Sequence, residues 1–258
     1  MSTLHRLAFA ACAAPLALAL AACGSSSEGG GAPTGDPIAP IAAPEGASWA
    51  EMVTETPEGG YLMGNPDAPL KLIEYGSLSC PHCAKLAQDG FPQLTNEYVA
   101  SGRVSLEFRS FAIHPQDVPL TLLTQCGGPE RVFPLTEELF RNFDGVMDRA
   151  MQNVEAAQAA SALPPAQRLG ALSDVFGFTE FFAARGISED QAHACLADMD
   201  AATKVAQQSQ AYTADGINQT PTLVLNGVKL DAATWGPNRT ATGEEPGLEA
   251  ALQKAGAR

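Results

Sequence analysis

Cys80-Pro81-His82-Cys83 is the stretch of this chain whose residue types and spacing point most directly to chemistry. Two thiols this close form a pair that a single disulfide can close. A thiolate, not a thiol, attacks a disulfide. The pair follows an apolar run, residues 70–75, and a short turn at 76–79, so it lies where a strand hands over to a helix. Free N–H groups and the helix dipole favour a negative sulfur there. Cys80, at the cap, is expected to be the exposed, acidic thiol, and Cys83, one turn in, the buried one. His82 is placed to favour the Cys80 thiolate through a ring N–H, and through its charge when protonated. Stabilising the thiolate makes the disulfide the less stable form, hence an oxidant. Two blander readings are a static disulfide and half of a zinc site. Zinc needs three or four protein ligands. The other Cys/His cluster, His193-x-Cys195, is far away in sequence.

The elements that must position the pair are legible on both sides. Residues 70–75 are apolar on both faces, as in a central strand. Glu74 shares a face with Leu70 and Leu72. A lone carboxylate in such a place is costly and is expected to be protonated or partnered, unless the strand end reaches water. After the pair, Leu86, Ala87, Leu94 and Tyr98 keep helical spacing, and Pro92 is expected to kink or split that helix. Val104, Leu106 and Phe108 alternate with Ser105, Glu107 and Arg109, which marks a second strand. The result is a βαβ unit.

Residues 115–212 read as mostly helical. One helix ends at Cys126, before Gly127-Gly128. Another starts after Thr136, with Leu139, Phe140, Phe143, Val146, Met147, Ala150 and Met151 on one face, and Leu163-Pro164-Pro165 breaks the pattern. Short helices are expected at 166–176 and 180–185. Ser188 with Gln191 reads as a capping box for one long helix reaching about Tyr212. The chain returns to strand at 220–225. Asn226-Gly227 then signals a hairpin into 228–230, and 248–254 reads as a final helix. The acidic stretch 236–247 is expected to be a surface loop. No internal repeat is visible.

The N-terminus reads as an address. Arg6 precedes an apolar stretch over 7–22 that is short for a membrane span. It ends in Leu20-Ala21-Ala22-Cys23, which resembles a bacterial lipobox, with Cys23 as the lipidated residue; an ordinary cleaved signal is the bland alternative. Residues 24–47 are rich in Gly, Ser, Ala and Pro, and read as a disordered spacer. Both readings place the protein outside the cytoplasm, where disulfides persist. The net charge of −14 argues against nucleic acid and against docking on anionic lipid. Of six cysteines, Cys12 falls in the signal and Cys23 is the lipid acceptor. Adjacency pairs Cys80 with Cys83. That leaves Cys126 and Cys195, both on apolar helix stripes, as a structural disulfide or as two buried thiols.

Cys-Pro-His-Cys after a strand, the helical insertion, Asn65-Pro66-Asp67-Ala68-Pro69 and Thr220-Pro221-Thr222 together resemble the DsbA-like thioredoxin-fold oxidoreductases, over about residues 61–256. The resemblance implies an α/β thioredoxin fold, with a large helical insertion between its βαβ and ββα halves. The expected organisation is signal peptide 1–22, tether 23–48, N-terminal half 49–114, insertion 115–212 and C-terminal half 213–258. The resemblance also implies a cis Pro221 that presents the Thr220 backbone to substrate, and a proton-transfer role for Glu74 at Cys83. Thr at position 220 departs from the best-known oxidase, which has Val, and is more familiar in isomerase relatives. His114 reads as a surface-loop residue that approaches the site at most. No cofactor or metal is implied. The implied partners are exported Cys-containing clients and a membrane redox partner that resets the pair. A monomer is expected, because residues 24–60 hold no long amphipathic helix. The implied activity is thiol:disulfide exchange, with oxidase as the first reading and isomerase, reductase or a non-catalytic peptide-binding module as alternatives.

Overall fold

The computed structural model describes residues 32–232 and 247–258. The expected signal peptide, Cys12, Cys23 and most of the 236–247 loop lie outside the described residues. Six strands form one mixed sheet: β1 (Val53–Glu55), β2 (Tyr61–Gly64), β3 (Leu70–Gly76), β4 (Val104–Ser110), β5 (Thr222–Leu225) and β6 (Val228–Lys229), in the order β1-β2-β4-β3-β5-β6. β3 and β4 run parallel, as the βαβ unit requires, and the other pairs are antiparallel.

Cross-strand partners share a face, so the register sorts the side chains. Leu72 pairs with Leu106 on one side and Leu225 on the other. All three are at most 1% exposed, and burying each contributes about 2 kcal/mol. The opposite face carries a smaller cluster of Tyr75, Phe111, Tyr212 and Ile217. The alternation in β4 does not leave a wet face: Ser105 is 1% and Glu107 8% exposed. Glu107 is held by Arg109 at 2.8 Å and by the Thr56 hydroxyl at 2.7 Å. The edge hairpin β1–β2 has no counterpart in the sequence reading. Its strands are too short for periodicity to register, and Gly59 takes a left-handed turn between them.

Ten α-helices are described: α1 (Pro81–Gln93), α2 (Asp117–Gln125), α3 (Pro129–Arg141), α4 (Phe143–Gln152), α5 (Val154–Ser161), α6 (Pro165–Phe176), α7 (Phe178–Ala183), α8 (Glu189–Leu196), α9 (Met199–Ala214) and α10 (Leu248–Ala255). Pro92 does not break α1. The chain continues into a wider π-type turn over Leu94–Val99. Two expectations are corrected. The helix placed after Thr136 begins at Pro129, because Pro is tolerated in a first turn, and its apolar stripe continues into α4 across a break at Asn142. The long helix from Ser188 to Tyr212 is two helices, interrupted at Asp198, whose carboxylate accepts from the Ala201 N–H. The Ser188 cap is made, but the Gln191 side chain bonds the Cys126 carbonyl and not the Ser188 backbone.

The spacer is also corrected in part. Ile38 N–H bonds the Gly256 carbonyl, Ile41 N–H bonds that of Ser101, and Trp49 caps the Ile41 carbonyl. Two isoleucines give this Pro-rich strip enough apolar surface to lie on the body. Among the described residues, no helix is long and apolar enough to cross a membrane.

Candidate redox site

Cys80 is the N-cap of α1, and Pro81 fills the first helical position, where a missing N–H costs nothing. Gly76 lets β3 end here. A Cβ at that position would lie 2.5 Å from the Phe108 ring and 2.9 Å from a Glu74 oxygen. Both cysteines carry free thiols. Cys80 was expected to be exposed, but it is only 5% exposed, because the Thr220–Pro221 loop covers it. Its thiol donates to the Thr220 carbonyl at 3.5 Å. The Thr220–Pro221 peptide is cis. Cys83 is wholly buried and accepts the Ser77 N–H at 3.4 Å.

The two thiols are driven apart in acidity. Cys80 is lowered to about 5, first by hydrogen bonding from the Cys83 thiol, against the opposing effect of burial. The Thr220 side chain and the backbone N–H groups of Cys83 and His82 lower it further. The Thr220 hydroxyl is buried and makes no hydrogen bond while Cys80 is protonated, so it is free to turn to the thiolate. Cys83 is pushed well up, first by burial, then by donating to Cys80. The His82 ring is exposed and makes no hydrogen bond among the described residues; its backbone N–H is what reaches the sulfur.

Glu74 is 0% exposed, and neither carboxyl oxygen has a hydrogen-bond partner. Burial raises it to about 8, and the Cys80 charge adds to this. It stands between Phe108 and Leu223 in the register, a neutral acid under the redox pair at moderate pH.

Behind the pair lies a polar cluster that sequence reasoning missed. Asp117 is fully buried and accepts from Ser77, Ser79, Ile113 and His114. His114 is half exposed, as a loop residue should be, yet its Nδ1 is 2.9 Å from the Ser79 hydroxyl, beside Cys80. Ser, His and Asp together suggest a hydrolytic triad. The geometry denies it, because Ser79 and Asp117 both face the same ring nitrogen, Asp117 at 3.8 Å. The Ser-x-Ser before Cys80 was visible in the sequence, but nothing there connected it to residue 117.

Cys126, at the C-cap of α2, is disulfide-bonded to Cys195 of α8, with Cα atoms 5.9 Å apart. No group of three or more His, Cys, Asp or Glu side chains suited to hold a metal occurs among the described residues.

A thiol pair at a helix N-terminus, faced by a cis-proline loop on a mixed sheet, defines a thioredoxin-fold redox site. The thioredoxin family model matches residues 56–238, more than half of the chain, and the chain belongs to that family. The crystal structure of protein-disulfide isomerase from Novosphingobium aromaticivorans is similar, with a TM-score of 0.64 and 27% identity over 74% of this chain and 94% of that one. Alpha-DsbA1 from Wolbachia pipientis shares the fold, with a TM-score of 0.53 and 20% identity over 77% of this chain and 90% of that one. Disulfide bond formation protein D of Bacillus subtilis is 26% identical over 87 residues, which cover 32% of this chain and 39% of that protein. The chain spans about a third of the length of the curated relatives it matches.

Proposed function

We propose that this protein is a thiol:disulfide oxidoreductase of the DsbA-like type, acting outside the cytoplasm and held to a membrane by lipid on Cys23. The observation that carries the reading is the asymmetry of the pair: Cys80 lowered to about 5, and Cys83 pushed above its ordinary value. In the oxidase direction, a client thiolate attacks the Cys80–Cys83 disulfide at Cys80 Sγ, and Cys83 leaves and takes a proton. A second client thiolate attacks the client sulfur of the mixed disulfide. A client disulfide forms, and Cys80 leaves as a stabilised thiolate. The client loses two electrons and the protein gains them. Glu74 is the group that exchanges a proton with Cys83, and the Thr220–Pro221 backbone is the rail for the client chain. The Cys126–Cys195 bond is structural. A membrane redox partner resets the pair, and the protein works as a monomer.

A second reading, disulfide isomerase or reductase, is favoured by Thr220 and by the name of the Novosphingobium protein. Redox equilibrium against glutathione separates the two. A potential at the oxidising end supports the oxidase, whereas one as reducing as thioredoxin's, about −270 mV, overturns it. Wild-type protein that exchanges no disulfide at all would sink both.

A further inference from the structure

Asp117 is the first residue of α2, after the N-cap Gln116, and its carboxylate accepts no N–H from its own helix. All of its donors lie upstream, in two separate loops. Ser77 Oγ and the Ser79 N–H reach Oδ1 at 2.9 Å each, and the Ile113 and His114 N–H groups reach Oδ2 at 2.9 and 2.8 Å. A buried carboxylate is tolerated only when its lone pairs are met, so this one draws both loops onto itself. The first loop touches the redox pair, and the second is tied to the first. The Ser77 N–H lies on Cys83 Sγ at 3.4 Å, and Ser79, which directly precedes Cys80, bonds His114.

We propose that Asp117 is a positioning residue for the redox pair: it fixes the 77–79 turn so that the Ser77 N–H stays on the Cys83 sulfur during exchange. The inference rests on the oxidoreductase reading above. Its chemistry is clearest when the reduced protein meets oxidised glutathione. Cys80 thiolate attacks one glutathione sulfur; a Cys80–glutathione bond forms, and one glutathione thiolate leaves and takes a proton. Cys83 then gives up its proton and attacks Cys80 Sγ. The Cys80–Cys83 bond forms, the Cys80–glutathione bond breaks, and the second glutathione leaves as its thiol. The protein loses two electrons, which glutathione disulfide gains. A donor on Cys83 helps the second step, in which that sulfur becomes negative, and not the first.

The test uses the full chain as Asp117→Asn and as Ser77→Ala, with the two steps timed separately against oxidised glutathione. The Asn side chain has the same shape, but its NH2 faces donors, so the clamp is broken. Loss of about one hydrogen bond slows the second step about fivefold in Asp117→Asn, with the first step unchanged. Ser77→Ala removes one tie and keeps the backbone N–H, so about twofold is expected. Equal slowing of both steps, or no slowing of the second, overturns the proposal. If Asp117→Asn does not fold, Ser77→Ala decides alone by the same criterion. Wild type that does not react with glutathione disulfide sinks the oxidoreductase reading and this inference with it.

Discussion

Two cysteine pairs in one molecule are held under opposite conditions. Cys80 and Cys83 are free thiols separated by two residues, at a helix N-terminus, surrounded by donors that prefer a negative sulfur. Cys126 and Cys195 are bonded across a sequence separation of 69, between the end of α2 and a turn of α8. The first pair stabilises its reduced form, because the donors on Cys80 have a charge to satisfy only when the bond is open. The second closes a long loop and gains by constraining the unfolded chain. The same element does both jobs, and the groups around it decide which.

The largest effects follow from breaking each pair. Cys80→Ser is expected to abolish exchange, and Cys83→Ser to retain the first attack but trap mixed disulfides with clients, read on non-reducing gels. Trapping seen only with Cys80→Ser would reverse the roles. In contrast, Cys126→Ala with Cys195→Ala is expected to cost about 4 kcal/mol of stability in the chain-entropy estimate, read by urea unfolding. Exchange by the folded fraction should persist. Loss of exchange in a folded double variant would make the second pair part of the redox machinery.

Glu74 sharpens the comparison through pH. Its folded pKa, about 8, lies above its ordinary 4.5, so the folded protein holds this proton where the unfolded chain releases it. Stability is therefore full below about 4.5 and falls as pH rises towards 8, by up to about 1.4 kcal/mol per unit. The disulfide form is the one to measure. There Cys80 does not titrate, and burial, the larger cause, remains. Glu74→Gln should flatten the decline, and an identical slope in wild type and variant would mean that Glu74 is not the titrating group. In the reduced form Cys80 works in the other direction. Its folded pKa of about 5 lies below the ordinary 9, so its contribution is lost as pH falls through 5.

How far the molecule was legible follows the same division between local and distant causes. The strand-to-helix site, Glu74 on the apolar face of β3, and the Asn226-Gly227 hairpin depend on neighbours in sequence. The hairpin's two residues have φ of 49° and 80°, as that turn demands. Periodicity places most of the insertion's helices but not their ends. The break at Asp198 comes from a local cap, and neither it nor the one at Asn142 changes the apolar stripe enough to show. The cover over Cys80 and the Asp117 clamp depend on residues 140 and 40 positions from their partners. A single sequence carries no sign of such pairings. The spacer shows the same limit, since a Pro-rich strip docks through only a few apolar side chains.

The smallest predicted effects compare Thr220 and His82, two residues that both act on Cys80. Thr220 offers a buried hydroxyl with no competing partner, and it lowers the sulfur's pKa. Thr220→Val keeps the shape and removes the donor. Cys80 should then titrate about one unit higher, equivalent to a pair less oxidising by about 30 mV. His82, by contrast, acts on Cys80 through its backbone N–H, which every non-proline residue retains. Its ring is exposed, so water screens any charge it carries. His82→Ala should therefore move the Cys80 titration, followed by thiolate absorbance, by less than Thr220→Val does. The remaining shift should shrink further in high salt, because only the screened charge is lost. A larger shift in His82→Ala than in Thr220→Val, insensitive to salt, would mean that the imidazole donates directly to the thiolate once the proton leaves Cys80. The ring would then have turned inward from the exposed position it holds over the protonated pair.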